Sequence, residues 1–343
     1  MKSLYNCSYQ ELGKLIDSWG EPTYRLTQLW NGLYQHYYAD ADQFTVFSLE
    51  LREKLQRNFK FHSLIEDQAI YSTDKNTQKV LFRLEDGDAI ETVLMRYDDR
   101  NTLCISSQAG CAMGCDFCAT GQMGFKRHLT AGEIVEQVVF FTRQLAEEQD
   151  ALTNVVFMGM GEPFHNYQAV MEAVHRLTHD QGMNMGARRI TISTVGVIPG
   201  IERFTAENTQ VNLAVSLHAT SNDLRSSMMP INDKYPVEDL MAACANYVDQ
   251  TNRRITFEWA LINQVNDSVE QARRLADLLQ GMLAHVNLIP LNPTARYPGE
   301  PTAEDRARKF QQTLRSRGVP CTIRLRRGIE IQAGCGQLAS DAS

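Results

Sequence analysis

Through the first sixty positions, apolar residues recur three and four apart. "YQELGKLIDSW" and "YRLTQLWNGLYQHYYA" both carry this spacing, which predicts amphipathic helices. The pattern then changes. "KVLFRL" and "AIETVLMRY" are short and rich in branched and aromatic residues, and "EDGDA" between them holds a turn-forming Asp-Gly, so they read as strands. A boundary is expected near residues 90–100. Beyond it strand-like and helix-like runs alternate. "LCISS" is followed, after a loop, by "TAGEIVEQVVFFTRQLAEE". "NVVFMGMG" precedes "YQAVMEAVHRL", "RRITIST" precedes "IPGIERFTAE", and "VNLAVSLHA" precedes "VEDLMAACANYV". "RITFEWALI" precedes "SVEQARRLADLL", and "HVNLIPL" precedes "AEDRARKFQQTLRSRG". Six such units with Val-, Ile- and Leu-rich strands predict parallel strands joined by crossover helices. The expected fold is α/β: a partial (β/α)6 barrel with a small N-terminal helical domain and a short β extension. A flat doubly wound sheet is the alternative. The expected division is a helical accessory segment over 1–65, a β-rich linker over 66–96, and the barrel with a C-terminal extension over 97–343. No internal repeat or low-complexity segment interrupts it.

Composition narrows the class. With 343 residues, 43% of them hydrophobic, the chain can build a large core. A net charge of −7 argues against a general nucleic-acid binder, but the charge is uneven. From Thr251 onward 13 Lys and Arg stand against 9 Asp and Glu, a net of +4, so the first 250 residues carry −11. A phosphate-bearing partner is therefore expected at the C-terminal part. The opening "MKSLYNCSYQELGKL" has no apolar signal-peptide core, and no apolar run reaches membrane-spanning length, so a cytoplasmic protein is expected. Eight cysteines in that setting point to metal binding, catalysis or burial rather than disulfides.

The predicted strand ends carry small and polar residues: "GMGEP" after the second, then "STVG", "SLHA" and "LNPT" after the third, fourth and sixth. Any one of these could simply make a turn. Together they predict a ligand lying across the barrel mouth, where sites of such folds are built.

The cysteines give the sharpest signal. Cys111, Cys115 and Cys118 form C-x3-C-x2-C in the Gly-rich "GCAMGCDFCATGQMGF" after the first barrel strand. Thiolates suit zinc and iron–sulfur clusters. A structural zinc site needs four ligands, and no second C-x2-C pair is present. Three thiolates on one loop can hold three irons of a 4Fe–4S cluster and leave the fourth open. Cys335, between Gly334 and Gly336, could be brought close to a ligand by a sharply bent backbone, or could be a buried small residue. Cys104, on the first barrel strand, leaves the same choice. Cys7, Cys244 and Cys321 fit burial.

The motifs "CISSQAGCAMGCDFCATG", "FMGMGEP", "ISTVG", "SLHA", "MPIND" and "CGQL" resemble the radical S-adenosylmethionine (SAM) superfamily and, within it, the RlmN-type ribosomal RNA adenine methyltransferases, from about residue 20 onward. The resemblance implies a 4Fe–4S cluster on Cys111, Cys115 and Cys118 and two SAM molecules per turnover. It implies SAM contacts from Gly161, Glu162, Ser193, Ser216, Leu217, His218 and Asn292. It makes Cys335 the methyl-carrying cysteine, Cys104 the resolving cysteine and Glu91 the proton acceptor. One SAM methylates Cys335. A second is cleaved to a 5′-deoxyadenosyl radical, which takes hydrogen from that methyl; the carbon radical then adds to adenine. Attack by Cys104 frees the methylated RNA and leaves a Cys104–Cys335 disulfide. The implied partners are 23S ribosomal RNA, tRNA and an electron donor such as a flavodoxin-type reductant, with no membrane.

A flipped adenine in an RNA loop is the expected target. Lys126, Arg127, Arg188, Arg189, Arg324, Arg326 and Arg327 are the basic candidates for gripping it. The related Cfr-type branch methylates carbon 8 of the same adenine with the same cysteines. Pro163 and Ala219, where that branch has alanine and serine, lean towards carbon 2. Two other readings use part of the pattern: a radical SAM activating or small-molecule enzyme, which would not need Cys335 and Cys104, and a zinc-stabilised RNA-binding protein.

Overall fold

A computed structural model describes residues 1–324 and 326–339. Three helices, α1 (Tyr9–Ser18), α2 (Tyr24–Tyr34) and α3 (Leu49–Asn58), form the N-terminal part. Ser8 and Glu11 close a capping box at the start of α1. The helices enclose an aromatic core in which Trp30 packs on Tyr34 and Tyr9 at centroid distances of 4.2 and 5.2 Å.

Ten strands follow in one sheet: β1 (Ile65–Tyr71), β2 (Thr77–Arg83), β3 (Ala89–Tyr97), β4 (Arg100–Cys104), β5 (Asn154–Phe157), β6 (Ile190–Thr194), β7 (Asn212–Ser216), β8 (Ile255–Leu261), β9 (Ala284–Pro290) and β10 (Cys321–Ile323). Each pairs with its neighbour in sequence. β1 to β4 are antiparallel, and β4 to β10 are parallel. The main crossover helices are α5 (Ala131–Glu147), α6 (Tyr167–Thr178), α7 (Ile198–Ala206), α9 (Val237–Thr251), α10 (Val269–Leu278) and α11 (Glu304–Ser316); the loops add the short α4 (Ala119–Met123) and α8 (Asn222–Met228). The monotonic strand order decides against a doubly wound sheet, which needs a reversal of order to put helices on both faces. With this order, crossovers of the usual right hand put the helices on one face and leave the other as a lumen. β1 and β10 each have a single strand neighbour, so the barrel is partial.

The expected six strand–helix units are present. The structure adds β10 as a seventh parallel strand, and β1, whose mostly exposed "IEDQAIY" lacks the apolar pattern that marks a strand. Alternation explains which residues face in. On β8, Trp259 packs against Phe310 of α11 at 5.7 Å, so Thr256, Glu258 and Ala260 face the lumen. On β2, Phe82 meets Phe140 and Phe141 of α5 at 5.0 and 6.4 Å, which turns Lys79 and Leu81 the other way. Leu81 lies opposite Glu91, and Cys104 lies opposite Val93. Lys79, Glu91 and Cys104 therefore share one face.

The helical part clasps α5. Buried Glu136 accepts hydrogen bonds from Ser3 Oγ and Ser63 Oγ, each at 2.6 Å, and from Ser63 N at 2.6 Å. Asn6 Oδ1 accepts from Gly132 N at 2.9 Å. Among the described residues no helix is long and apolar enough to cross a membrane.

Candidate active site

The three-cysteine loop lies between the arms of a small hairpin, Gln108–Gly110 with Phe125–His128, above the end of β4. Cys111 and Cys115 are buried and Cys118 is partly so. All three line a cavity of about 140 Å³. Burial pushes the Cys111 thiol up to about 12 and the Cys115 thiol well above its usual range, with Cys118 adding to the second shift. Bare thiolates are thus costly here, and a bound cation would remove the cost. No three His, Cys, Asp or Glu side chains among the described residues stand as a single metal ion would need. A 4Fe–4S cluster makes no such demand, because each thiolate bonds its own iron. The three thiols fit that cluster and would leave one of its irons without a protein ligand.

The strand ends supply the opposite wall. Gly161, Glu162, Ser193, Ser216, His218 and Asn292 all line the same cavity. Leu217 does not: its side chain is fully buried, its N–H donates to Glu258 O at 3.1 Å, and its carbonyl accepts from Ala219 N and Arg225 Nε. His218 Nδ1 accepts from Ala260 N at 2.9 Å, and burial lowers its pKa to about 3. The ring is therefore neutral, with its proton on Nε2. Glu162 accepts from Phe164 N at 2.9 Å and from Val195 N at 2.8 Å, yet burial raises its pKa to about 7.

That shift has a testable consequence. The folded carboxyl binds its proton more tightly than the unfolded one, for which the usual value is 4.5. Stability of the cluster-free chain should fall as pH rises from about 4.5 to about 7, by roughly 3 kcal/mol from this group. Urea unfolding at several pH values is expected to show that slope flattened in Glu162→Gln. An unchanged slope would place the buried charge elsewhere.

A second cavity, of about 360 Å³, adjoins the first, and Cys335 lines both. Cys104 lines the second, with Tyr97, Arg100, Arg324, Arg326 and Arg327. Cys335 is exposed as a residue, and that surface faces the two cavities. Protein packed on its other sides, then Glu258 and Cys118, pushes its thiol up to about 12. Burial, and then Cys335, raise Cys104 to about 12. Both are free thiols.

The loop holding Cys335 is strapped to the three-cysteine loop and the strand ends. Ala119 N donates to Gly336 O at 2.7 Å, Thr120 Oγ1 to Leu338 O at 2.6 Å and Asn292 Nδ2 to Cys335 O at 3.0 Å. The flanking glycines have different reasons. Gly336 holds φ +82°, and a Cβ on Gly334 would sit 2.6 Å from Asn292 Nδ2. Glu91 is buried and pairs with Lys79 Nζ at 2.8 Å, and it accepts from Ala339 N at 2.9 Å, on the same loop.

The basic candidates separate. Arg324, Arg326 and Arg327 line the second cavity, where Arg327 and Arg100 flank the Tyr97 ring at 4.3 and 4.2 Å. Lys126 is paired with Asp88 at 3.0 Å, and Arg127 with Glu133 at 2.8 Å. Arg188 and Arg189 precede β6, at the opposite end of the barrel. Sequence reasoning passed over Arg225 and Glu258. Arg225 is fully buried and donates to the carbonyls of Val195, Ser216 and Leu217 at 2.6, 3.2 and 3.2 Å, tying together the strand ends. The quoted "MPIND" was its signal, because Asn232 Oδ1 receives its Nη1 at 3.2 Å.

Comparisons with known proteins give the family. Residues 105–279 match the model of the radical SAM superfamily, and residues 2–60 match that of the ribosomal RNA large subunit methyltransferase N-terminal domain. The dual-specificity RNA methyltransferase RlmN 1 of Myxococcus xanthus is 48% identical over 98% of this chain and 94% of its own length. A probable dual-specificity RNA methyltransferase RlmN of Chloroflexus aurantiacus is 47% identical over 98% of this chain and 93% of its own. The crystal structure of a radical SAM methyltransferase from Sphaerobacter thermophilus superposes with a TM-score of 0.96 at 50% identity, covering 98% of this chain and 99% of that one.

Proposed function

Because the chain belongs to the RlmN-type family of radical SAM RNA methyltransferases, we propose that it methylates carbon 2 of an adenine in 23S ribosomal RNA and of an adenine in tRNA. The observation that carries the reading is that Cys104 and Cys335 open on one cavity while Cys335 also opens on the cluster cavity. Relatives named for dual-specificity RNA methylation favour this over the Cfr-type reaction at carbon 8.

Cys111, Cys115 and Cys118 would hold the 4Fe–4S cluster, and Gly161, Glu162, Ser193, Ser216, His218 and Asn292 would surround SAM, with Leu217 supporting from behind. When bound, the cluster supplies the electron for reductive cleavage of SAM, delivered by a donor such as a flavodoxin-type reductant. The chain's own residues then divide the work. Cys335, as thiolate, takes a methyl group from SAM by displacement. Its carbon is later joined to adenine carbon 2. Glu91 takes the ring proton, and Cys104 attacks the Cys335 sulfur, releasing RNA and leaving a disulfide for reduction. The arginines around Tyr97 fit phosphates beside the flipped base, and residues 1–65 form an accessory domain that helps grip RNA. The 66–96 linker supplies Glu91, and 97–343 the reacting core. Acting on these RNAs, the enzyme would work in the cytoplasm.

Nucleoside analysis of ribosomal RNA and tRNA after reaction with the purified enzyme is expected to show 2-methyladenosine. Finding 8-methyladenosine alone would overturn the choice of carbon and leave the radical chemistry standing.

A further inference from the structure

Glu258 sits where three of the barrel's cavities meet. It lines the cluster cavity, the cavity holding Cys104, and a lower cavity of about 740 Å³. Among the described residues only Met158 shares that position. Its side chain is buried at 4% exposure. One oxygen accepts from Asn287 Nδ2 at 2.9 Å, and Oε2 has no hydrogen-bond partner among the described residues. Leaving a buried acceptor unpaired is destabilising, so packing alone does not account for a carboxyl here.

We infer that Glu258 takes the proton from the Cys335 thiol as that sulfur is methylated, and passes it out through the lower cavity. The inference rests on the reading of Cys335 as methyl acceptor. Cys335 shares both the cluster cavity and the second cavity with Glu258, whereas Cys104 shares only the second. Arg324 faces Glu258 from beyond β10, and Arg188, Arg253 and Arg254 line the lower cavity. The remaining lower wall is polar, with Thr191, Asn212 and Thr256 among it, which suits water and proton exchange.

The step balances. The S–H bond of Cys335 breaks and its proton moves to Glu258 Oε2. The electron pair left on sulfur forms the new S–CH3 bond as the S–CH3 bond of SAM breaks, and neutral S-adenosylhomocysteine leaves. Burial raises the pKa of both Cys335 and Glu258, and the Glu258 charge adds to the rise at Cys335. The unpartnered oxygen gives the thiol proton somewhere to go.

Two measurements follow Cys335 by peptide-resolved mass spectrometry: methyl transfer from SAM in the cluster-loaded enzyme, and alkylation by iodoacetamide in the cluster-free chain. In Glu258→Gln, methyl transfer at pH 7 is expected to fall about 100-fold, the usual scale of general-base help, and to recover roughly tenfold per pH unit above that. Alkylation should slow in parallel. Glu258→Asp keeps a carboxyl and should stay within about tenfold of wild type; it also carries the test if the Gln variant does not fold. A neighbour that merely repels the thiolate predicts the reverse, because removing its charge would make Cys335 more reactive. Equal or faster alkylation in Glu258→Gln would overturn the inference, as would an Asp variant as slow as Gln. No methyl on Cys335 in the wild type would instead overturn the methyl-acceptor reading beneath it.

Discussion

Cys115→Ala is expected to abolish iron binding, from about four irons and four sulfides per chain to none, and with it all cleavage of SAM. The sulfur is buried at 6% exposure among Met228, Met229 and Leu291, where a methyl side chain is tolerated. The backbone of the loop is held independently: Asp116 N donates to Met228 O at 3.0 Å and Cys118 N to Cys115 O at 3.1 Å. The variant should therefore fold and fail only in its ligand set, because two thiolates cannot retain the cluster. Iron and sulfide analysis of anaerobically reconstituted protein is the check. Full iron content would remove Cys115 from the ligands.

The second large effect belongs to Cys104. Wild-type protein purified from cells should carry one methyl group on Cys335. In Cys104→Ala the RNA should remain bonded to Cys335, with turnover held to about one event per chain, since among the described residues no other thiol lines that cavity to displace it. Denaturing gel electrophoresis and mass spectrometry would show the adduct. Normal turnover without an adduct would show that another group resolves the intermediate.

Much of this was legible in the sequence because it is local. Strand and helix periods, the C-x3-C-x2-C spacing and the polar strand ends each occupy a few adjacent positions. What escaped depends on distant partners. Glu258 reads as one polar residue in an apolar strand, and only the barrel's curvature brings it to the meeting of three cavities. Arg225 resembles a surface residue of a polar loop until carbonyls of three residues at the ends of β6 and β7 close around it. The basic residues misled for the same reason. Lys126 and Arg127 stand beside the cysteine loop in sequence, yet Asp86, Asp88 and Glu133 engage them. Leu217 was grouped with its neighbours, but alternation at the strand end turns it into the core.

The hairpin joining β3 to β4 ties Glu91 to Cys104 through a register in which Tyr97 faces Arg100 and Val93 faces Cys104. Because side chains alternate, a slip of one residue would turn Glu91 to the face opposite Cys104. Two residues, Asp98 and Asp99, set that register. Insertions and deletions are thus unequally costly along this chain. The outer turn at residues 84–88 lies on the far side of Glu91 and can change length without altering the match. The turn at 98–99 has a fixed length, because drift in gene length there would part Glu91 from Cys104 although both residues are still encoded.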